Sequence, residues 1–274
     1  AELNITQPAV TKAIQRLQEH YDVRLIERAG KKWMLTAAGR ALYQIAGRIF
    51  QLERQAEDCI RGFREQGERR LRIHASETFG GYYLPELINR YQRRHPGVTV
   101  SVDILPNERV VEHTAAMDND VGFISDPIRH RNLTLREVLR EQLVLIAAPG
   151  HPLTQRRAVR PKDLDGQSII MHEPGSALQK AMDDLLGRRR SSLSHYLEFS
   201  NNEAIKRAVA AGTGVALISE RVAADEIREG KLAVLRWSRP PMMRSFYMLH
   251  HRSKSMTQPM KHLMELVADW AAEG

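Results

Sequence analysis

Thr6, Gln7, Pro8, Thr11, Lys12, Gln15 and Arg16 bring short hydroxyl, amide and cationic side chains to one helix face. At roughly 100° per residue, Val10, Ile14 and Leu17 fall on the opposite side, which predicts a helix with one packing stripe and one polar face. Thr6 can cap that helix, Gln7 and Pro8 suit its first turn, and no glycine interrupts the run that follows. Hydroxyls and amides can pair with base edges in a major groove while Lys12 and Arg16 meet phosphates on either side. An ordinary amphipathic helix with a solvated polar face would carry the same pattern, so the neighbouring elements have to decide.

Two short strands are expected next, Val23 to Arg28 and Trp33 to Leu35, joined at Ala29-Gly30-Lys31-Lys32. They make a basic hairpin, or wing, with Lys31 and Lys32 at its turn. Thr36 then caps a proline-free stretch reaching about Gln66, a helix on the order of 45 Å long at 1.5 Å per residue. Leu42, Ile45, Ile49, Leu52, Ala56, Cys59 and Phe63 recur along it at spacings of three and four, with Gly47 and Gly62 off the line. So narrow a stripe needs a partner, most simply a second copy of the chain in a coiled coil. The other reading is a core helix of one globular domain.

These segments resemble the LysR-type transcriptional regulators in order and detail: a recognition helix with Thr-Gln-Pro-Ala, a basic wing, Leu35-Thr36-Ala37-Ala38-Gly39 and a linker helix. The resemblance extends over the whole chain. The winged helix-turn-helix of that family starts with a full helix and turn, whereas Ala1-Glu2-Leu3 reads as the tail of that first helix. The expectation is a truncated start without initiator Met, with DNA binding retained only where the missing scaffold is present.

From Leu71 onward, short apolar runs alternate with helical segments, the pattern of an α/β domain with a largely parallel sheet. Leu71 to Ala75 leads into Ser76 to Gly81 and a helix over about Leu84 to Arg94. Val98 to Ile104 leads into Pro106-Asn107-Glu108, and Val121 to Ile124 into Ser125-Asp126. Ile169 to Met171 precedes His172 to Ser176, and Leu197 to Phe199 precedes Ser200 to Glu203. Loops at strand ends converge on one edge of such a sheet and cradle ligands there. Ser245 to His250 and a helix over about Gln258 to Ala272 are expected to return to the first lobe, so that two crossings create a cleft.

This half is similar to the effector domain of the same family, a two-lobed fold related to periplasmic solute-binding proteins of type 2. The resemblance implies a multidomain α plus α/β protein. Its parts are a winged helix-turn-helix over 1–35, a linker and dimerisation helix over 36–66, and an effector-binding domain over 71–274. Lobe I would hold about 71–144 plus 245–274, and lobe II about 145–244. The implied effector contacts are Ser76 and Thr78 on the first loop, Asn107 on the second and Ser125 on the third, faced by Ser176, Ser200 and Asn201. Hydroxyls, amides and helix N-termini favour an anion such as an organic acid. Glu77 and Glu108 stand beside those positions and oppose a carboxylate unless they turn outward, which keeps an amine-bearing or neutral effector open. Helix capping is the competing role for every Ser, Thr and Asn in this set.

Composition agrees with this organisation. The chain has 274 residues, 42% of them hydrophobic, and a formal charge of +8 that suits a polyanionic partner. A single cysteine excludes an internal disulfide, and no apolar run approaches the roughly 18 to 20 residues that cross a membrane. No signal peptide is visible, so a cytoplasmic location is expected. Enzymatic motifs fail: Gly175-Ser176 lacks the later glycine of a nucleophile elbow, Gly212-Thr213-Gly214 lacks the third glycine of a dinucleotide loop, and there is no P-loop. His250 and His251 would point to opposite faces of a strand, so neither a metal nor another cofactor is expected. Arg156-Arg157 and Arg188-Arg189-Arg190 read as solvated charge runs.

The sequence therefore points to a regulator, not an enzyme, with double-stranded DNA and a small-molecule effector as partners. The family implies homodimers and homotetramers, with RNA polymerase a further candidate partner. The runner-up is a small-molecule-binding protein or enzyme of the same two-lobed fold without sequence-specific DNA binding.

Overall fold

The computed structural model describes residues 7–29, 32–64, 69–187 and 195–273. The chain divides into two compact units, residues 1–67 and 68–274.

In the first unit, α1 (Gln7–Tyr21) is followed by the antiparallel strands β1 (Ile26–Ala29) and β2 (Lys32–Leu35) and by α2 (Ala37–Arg64). Val10 and Ile14 are half-buried, whereas Leu17 remains 40% exposed. The first wing strand begins at Ile26, not at Val23 as expected. Asp22 leaves the helix with φ 48°, and the Gln18 side-chain carbonyl accepts the amides of Leu25 and Ile26 at 2.7 and 3.2 Å. The approach to the wing is thus held by a side chain instead of a strand ladder.

Thr36 caps α2, its hydroxyl accepting from the Gly39 amide at 3.0 Å and donating to the Arg24 carbonyl at 2.7 Å. Gly39 is buried, and a Cβ there would collide with the Leu25 backbone carbonyl. Gly39→Ala should therefore cost about 1–3 kcal/mol through overpacking against an immovable backbone. Amide exchange across residues 25–40 should accelerate by roughly one to two orders of magnitude. Unchanged protection would show that the helix start yields freely.

In the second unit, nine strands form one sheet: β3 (Arg69–Ala75), β4 (Val98–Ile104), β5 (Val121–Ile124), β6 (Leu133–Ala147), β7 (Ser168–His172), β8 (His195–Phe199), β9 (Val215–Ser219), β10 (Ala233–Leu235) and β11 (Met242–His251). The order β4-β3-β5-β11-β6-β9-β7-β8 places a parallel group at each end, with the long antiparallel pair β11 and β6 between them and β10 beside β6. Around the sheet lie α3 (Glu77–Tyr82), α4 (Leu84–Arg94), α5 (Asn107–Ala115), α6 (Ala177–Leu186), α7 (Asn202–Ala210), α8 (Glu220–Arg228) and α9 (Gln258–Glu273).

Each end has its own core. Leu71, Ile73, Phe79, Phe123 and Phe246 pack under α4 and α9 in lobe I, with Phe79 stacked on Phe123 at a ring separation of 4.3 Å. In lobe II, Ile169, Met171, Met182 and Leu217 fill one face of the sheet, and Ile170, Ile205, Val209 and Ile218 fill the other. Strands β7 and β9 read as continuous apolar runs because both their faces are covered. β6 and β11 are the two crossings. The fifteen-residue β6 has no continuous apolar signature, since Arg136, Glu137, Arg140, Glu141 and Gln142 interrupt it where it passes between the lobes. Ser76 to Gly81, expected as a loop, instead forms most of the short helix α3, because the amide of Gly80 closes a helical turn onto the Ser76 carbonyl at 2.8 Å.

Candidate functional site

On α1, Gln7, Pro8, Thr11, Lys12, Gln15 and Arg16 are all exposed, as is Lys32 on the wing. The Thr11 hydroxyl donates to the Gln7 carbonyl at 3.0 Å, which leaves its oxygen lone pairs to face outward as acceptors. Thr6 and Lys31 lie outside the described residues. Along α2, Ile45, Ile49 and Leu52 are 54 to 60% exposed, and Leu42 and Ala56 are exposed beside them. Tyr43 and Phe50 are also exposed and broaden the apolar surface beyond the expected seam. The side chains of Cys59 and Phe63 lie outside the described residues, as do Arg188, Arg189 and Arg190; Arg156 pairs with Asp163 at 3.3 Å.

Between the lobes of the second unit lies a cavity of about 450 Å³. Ser76, Thr78, Asn107, Ser125, Ser176 and Ser200 line it, but Asn201 does not. The Asn201 side chain is spent as the N-cap of α7, accepting from the Ala204 amide at 2.7 Å. Ser176 caps α6 in the same way, accepting from the Gln179 amide at 3.1 Å, while its residue still borders the cavity. Asn107 is tied to Ser125, its amide donating to the hydroxyl at 3.0 Å and its carbonyl accepting from the Ser125 backbone amide at 3.2 Å and lying 3.4 Å from the hydroxyl. Ser76 differs from all of these. Its hydroxyl is buried, caps no helix and has no hydrogen-bond partner. An orphan hydroxyl in a cavity wall carries the desolvation cost of a group waiting for a ligand or water.

Polar bridges cross the cleft. Glu77, on lobe I, accepts from the Asn202 amide at the start of α7 at 2.8 Å, and its other oxygen lies 3.4 Å from His172 Nε2 at the end of β7. Beside it, Thr78 accepts from the Asn202 side chain at 3.3 Å. At the second bridge, Lys180 on α6 donates to Asp126 at 2.6 Å, and this hydrogen bond holds the lysine pKa above its usual value. Glu77 therefore turns neither outward nor into the centre of the cavity; it reaches the opposite lobe. Glu108 stays exposed at the cavity wall.

The floor of the cleft is a buried ionic cluster that the sequence did not reveal. Arg244 on β11 borders the cavity and faces Glu141 on β6, with its Nε and Nη2 at 2.6 and 2.5 Å from one carboxylate oxygen. The other oxygen accepts from Tyr83 at 2.5 Å and from Ser219 at 2.7 Å. All four side chains are buried. Burial, reinforced by the Glu141 carboxylate, pushes the Tyr83 phenol well above its usual pKa, so it acts as a donor. An arginine set between Met243 and Ser245 in a strand that also carries Phe246, Met248 and Leu249 was the available signal for this cluster.

Two family models account for the two units. The LysR substrate binding domain matches residues 64–272, and the bacterial regulatory helix-turn-helix protein of the lysR family matches residues 1–40. The chain belongs to the LysR family. The transcriptional activator CmpR of Synechocystis is 30% identical over 93% of this chain and 84% of its own length. The RuBisCO operon transcriptional regulator of Allochromatium vinosum is 29% identical over 99% and 89%. Among solved structures, the regulatory domain of Synechocystis CcmR, in complex with 2-PG, is 25% identical with a TM-score of 0.68, over 74% of this chain and 98% of that one.

This LysR-family chain is thus a DNA-binding transcriptional regulator with an effector-binding domain, and the two-lobed expectation holds for its fold. Membership decides against the runner-up, an enzyme or binding protein without DNA specificity. Among the described residues, no helix is long and apolar enough to cross a membrane, and no group of three His, Cys, Asp or Glu is placed to hold a metal.

Proposed function

We propose that paired copies of this chain read an inverted-repeat operator through α1 and the wing, and that a small organic anion between the lobes alters their spacing on DNA. The observation that carries the effector half is the cavity of about 450 Å³, walled by hydroxyls and amides from both lobes and bordered by the buried Arg244. The 2-PG bound to the related CcmR domain supports a ligand of small size. For the DNA half, the support is the exposed polar face of α1 with Lys12 and Arg16 at its flanks.

In this reading, Gln7, Pro8, Thr11 and Gln15 face the bases, with Thr6 at the helix start, while Lys12, Arg16, Lys31 and Lys32 meet phosphates. The stripe of Leu42, Ile45, Ile49, Leu52, Ala56, Cys59 and Phe63 pairs two copies. Two such dimers form a tetramer, which works in the cytoplasm and meets RNA polymerase at the promoter.

Selection from a random DNA pool at moderate salt tests the operator: an inverted repeat should be enriched, with half-sites spaced by whole helical turns. Thr11→Val and Gln7→Ala should relax preference at individual base positions, each worth about 1–3 kcal/mol. Lys12→Ala and Arg16→Ala should instead weaken all sequences alike and lower the salt slope by about one. Equal loss on every sequence from the first pair would remove the base-reading role.

A further inference from the structure

We propose that Glu77 is a resident competitor for the effector: its carboxylate occupies an oxyanion seat, and an effector's compact oxyanion head must displace it to bind. This rests on the reading of the cleft as the effector site and adds how that site is held when empty.

The seat is made by lobe II. Its one hydrogen bond comes from the Asn202 amide, the first of α7, to Glu77 Oε1 at 2.8 Å; His172 Nε2 at the end of β7 lies 3.4 Å from Oε2, which is buried and makes no hydrogen bond, so Glu77 fills the seat incompletely. The nine-residue helix α7 brings its positive dipole end here, an arrangement that favours negative charge, and with the Ala204 amide capped by Asn201 it is the Asn202 amide that meets the anion. The second, independent sign of a ligand is Ser76, 6% exposed, whose hydroxyl has no partner and whose residue walls the same cavity immediately before Glu77.

Glu77 comes from the other lobe, and its side chain is about one-third exposed, so it can leave for solvent without dismantling a core. An incoming oxyanion would replace one negative charge by another at the same donors. The local balance is kept, since Arg244 already has Glu141. The ligand would gain the orphan Ser76 hydroxyl, which Glu77 does not satisfy. Because Glu77 is tethered, it competes at high effective concentration, and intrinsic affinity is reduced by the fraction of time it holds the seat. The same exchange breaks one bridge across the cleft and leaves that of Lys180 with Asp126 in place.

Calorimetric titration of the full chain with inorganic phosphate, and separately with acetate, tests this. Glu77→Gln keeps the size of the side chain and removes its charge, and should bind phosphate roughly tenfold more tightly than the parent, the worth of one charge-assisted contact. Glu77→Ala should do the same or more, whereas Ser76→Ala should weaken binding in the parent and in the Glu77→Gln background. Tighter phosphate alone would assign the head to a phosphate, and a gain for both probes would extend it to carboxylates. If Glu77→Gln binds no more tightly while Ser76→Ala still weakens binding, the competitor role fails and the effector cleft stands. If neither substitution changes the titration, or no probe binds any variant, both readings fall.

Discussion

Glu141→Ala is expected to destabilise the effector domain by about 3–5 kcal/mol, the cost of leaving a buried arginine without its counter-ion. Arg244 would lose the Glu141 carboxylate that pairs with it, and the hydroxyls of Tyr83 and Ser219 would lose a shared acceptor. In a domain of this size each kcal/mol moves the melting midpoint by about 2–4 °C, so the transition should fall by roughly 6–20 °C. Glu141→Gln retains acceptor capacity and should cost less. The double substitution Glu141→Leu with Arg244→Met removes both charges and should recover much of the loss. A single-variant shift below about 2 °C would mean that water enters and replaces the carboxylate, against the burial described here. The cluster joins β6 to β11 where both strands pass between the lobes, so the same variant should also loosen the cleft, read as faster amide exchange at its walls.

Ile49→Asp should give the second large effect. Ile49 is 60% exposed on a single copy of α2, in line with Ile45 and Leu52. In a paired helix the substitution would bury two like charges opposite one another, which a coiled-coil seam does not tolerate. The mass in solution should drop to a smaller species, and operator affinity should fall by about two orders of magnitude or more as bivalent binding is lost. The melting of the effector domain should stay unchanged. An unaltered mass would place the partner surface elsewhere, with Tyr43 and Phe50 the first alternatives to substitute.

What the sequence revealed is what repeats within a few residues. The polar face of α1 and the apolar stripe of α2 follow from helical periodicity, and the Thr36 cap from a hydroxyl three residues before an amide in need of an acceptor. Strands such as β5, β7 and the apolar part of β11 announced themselves as short apolar runs, and the family motif supplied which loops meet. The start of β1 and the existence of β6 were less legible. One is set by a side chain from the preceding helix, and the other is a strand whose polar residues are exposed except for Glu141, which is buried in the ionic cluster.

The sequence by itself determined the order of the parts, the exposed polar face of α1 and most of the loops that wall the cleft, because each depends on local period and capping. Tertiary structure alone decided which groups meet there. Arg244 and Glu141 are separated by 103 positions and Glu77 and Asn202 by 125, and their pairing follows from strand register and lobe approach. A local pattern could show that Glu77 stood near the site; only the folded chain decided that its carboxylate would reach across to the first amide of α7 on the opposite lobe, where the helix dipole favours negative charge.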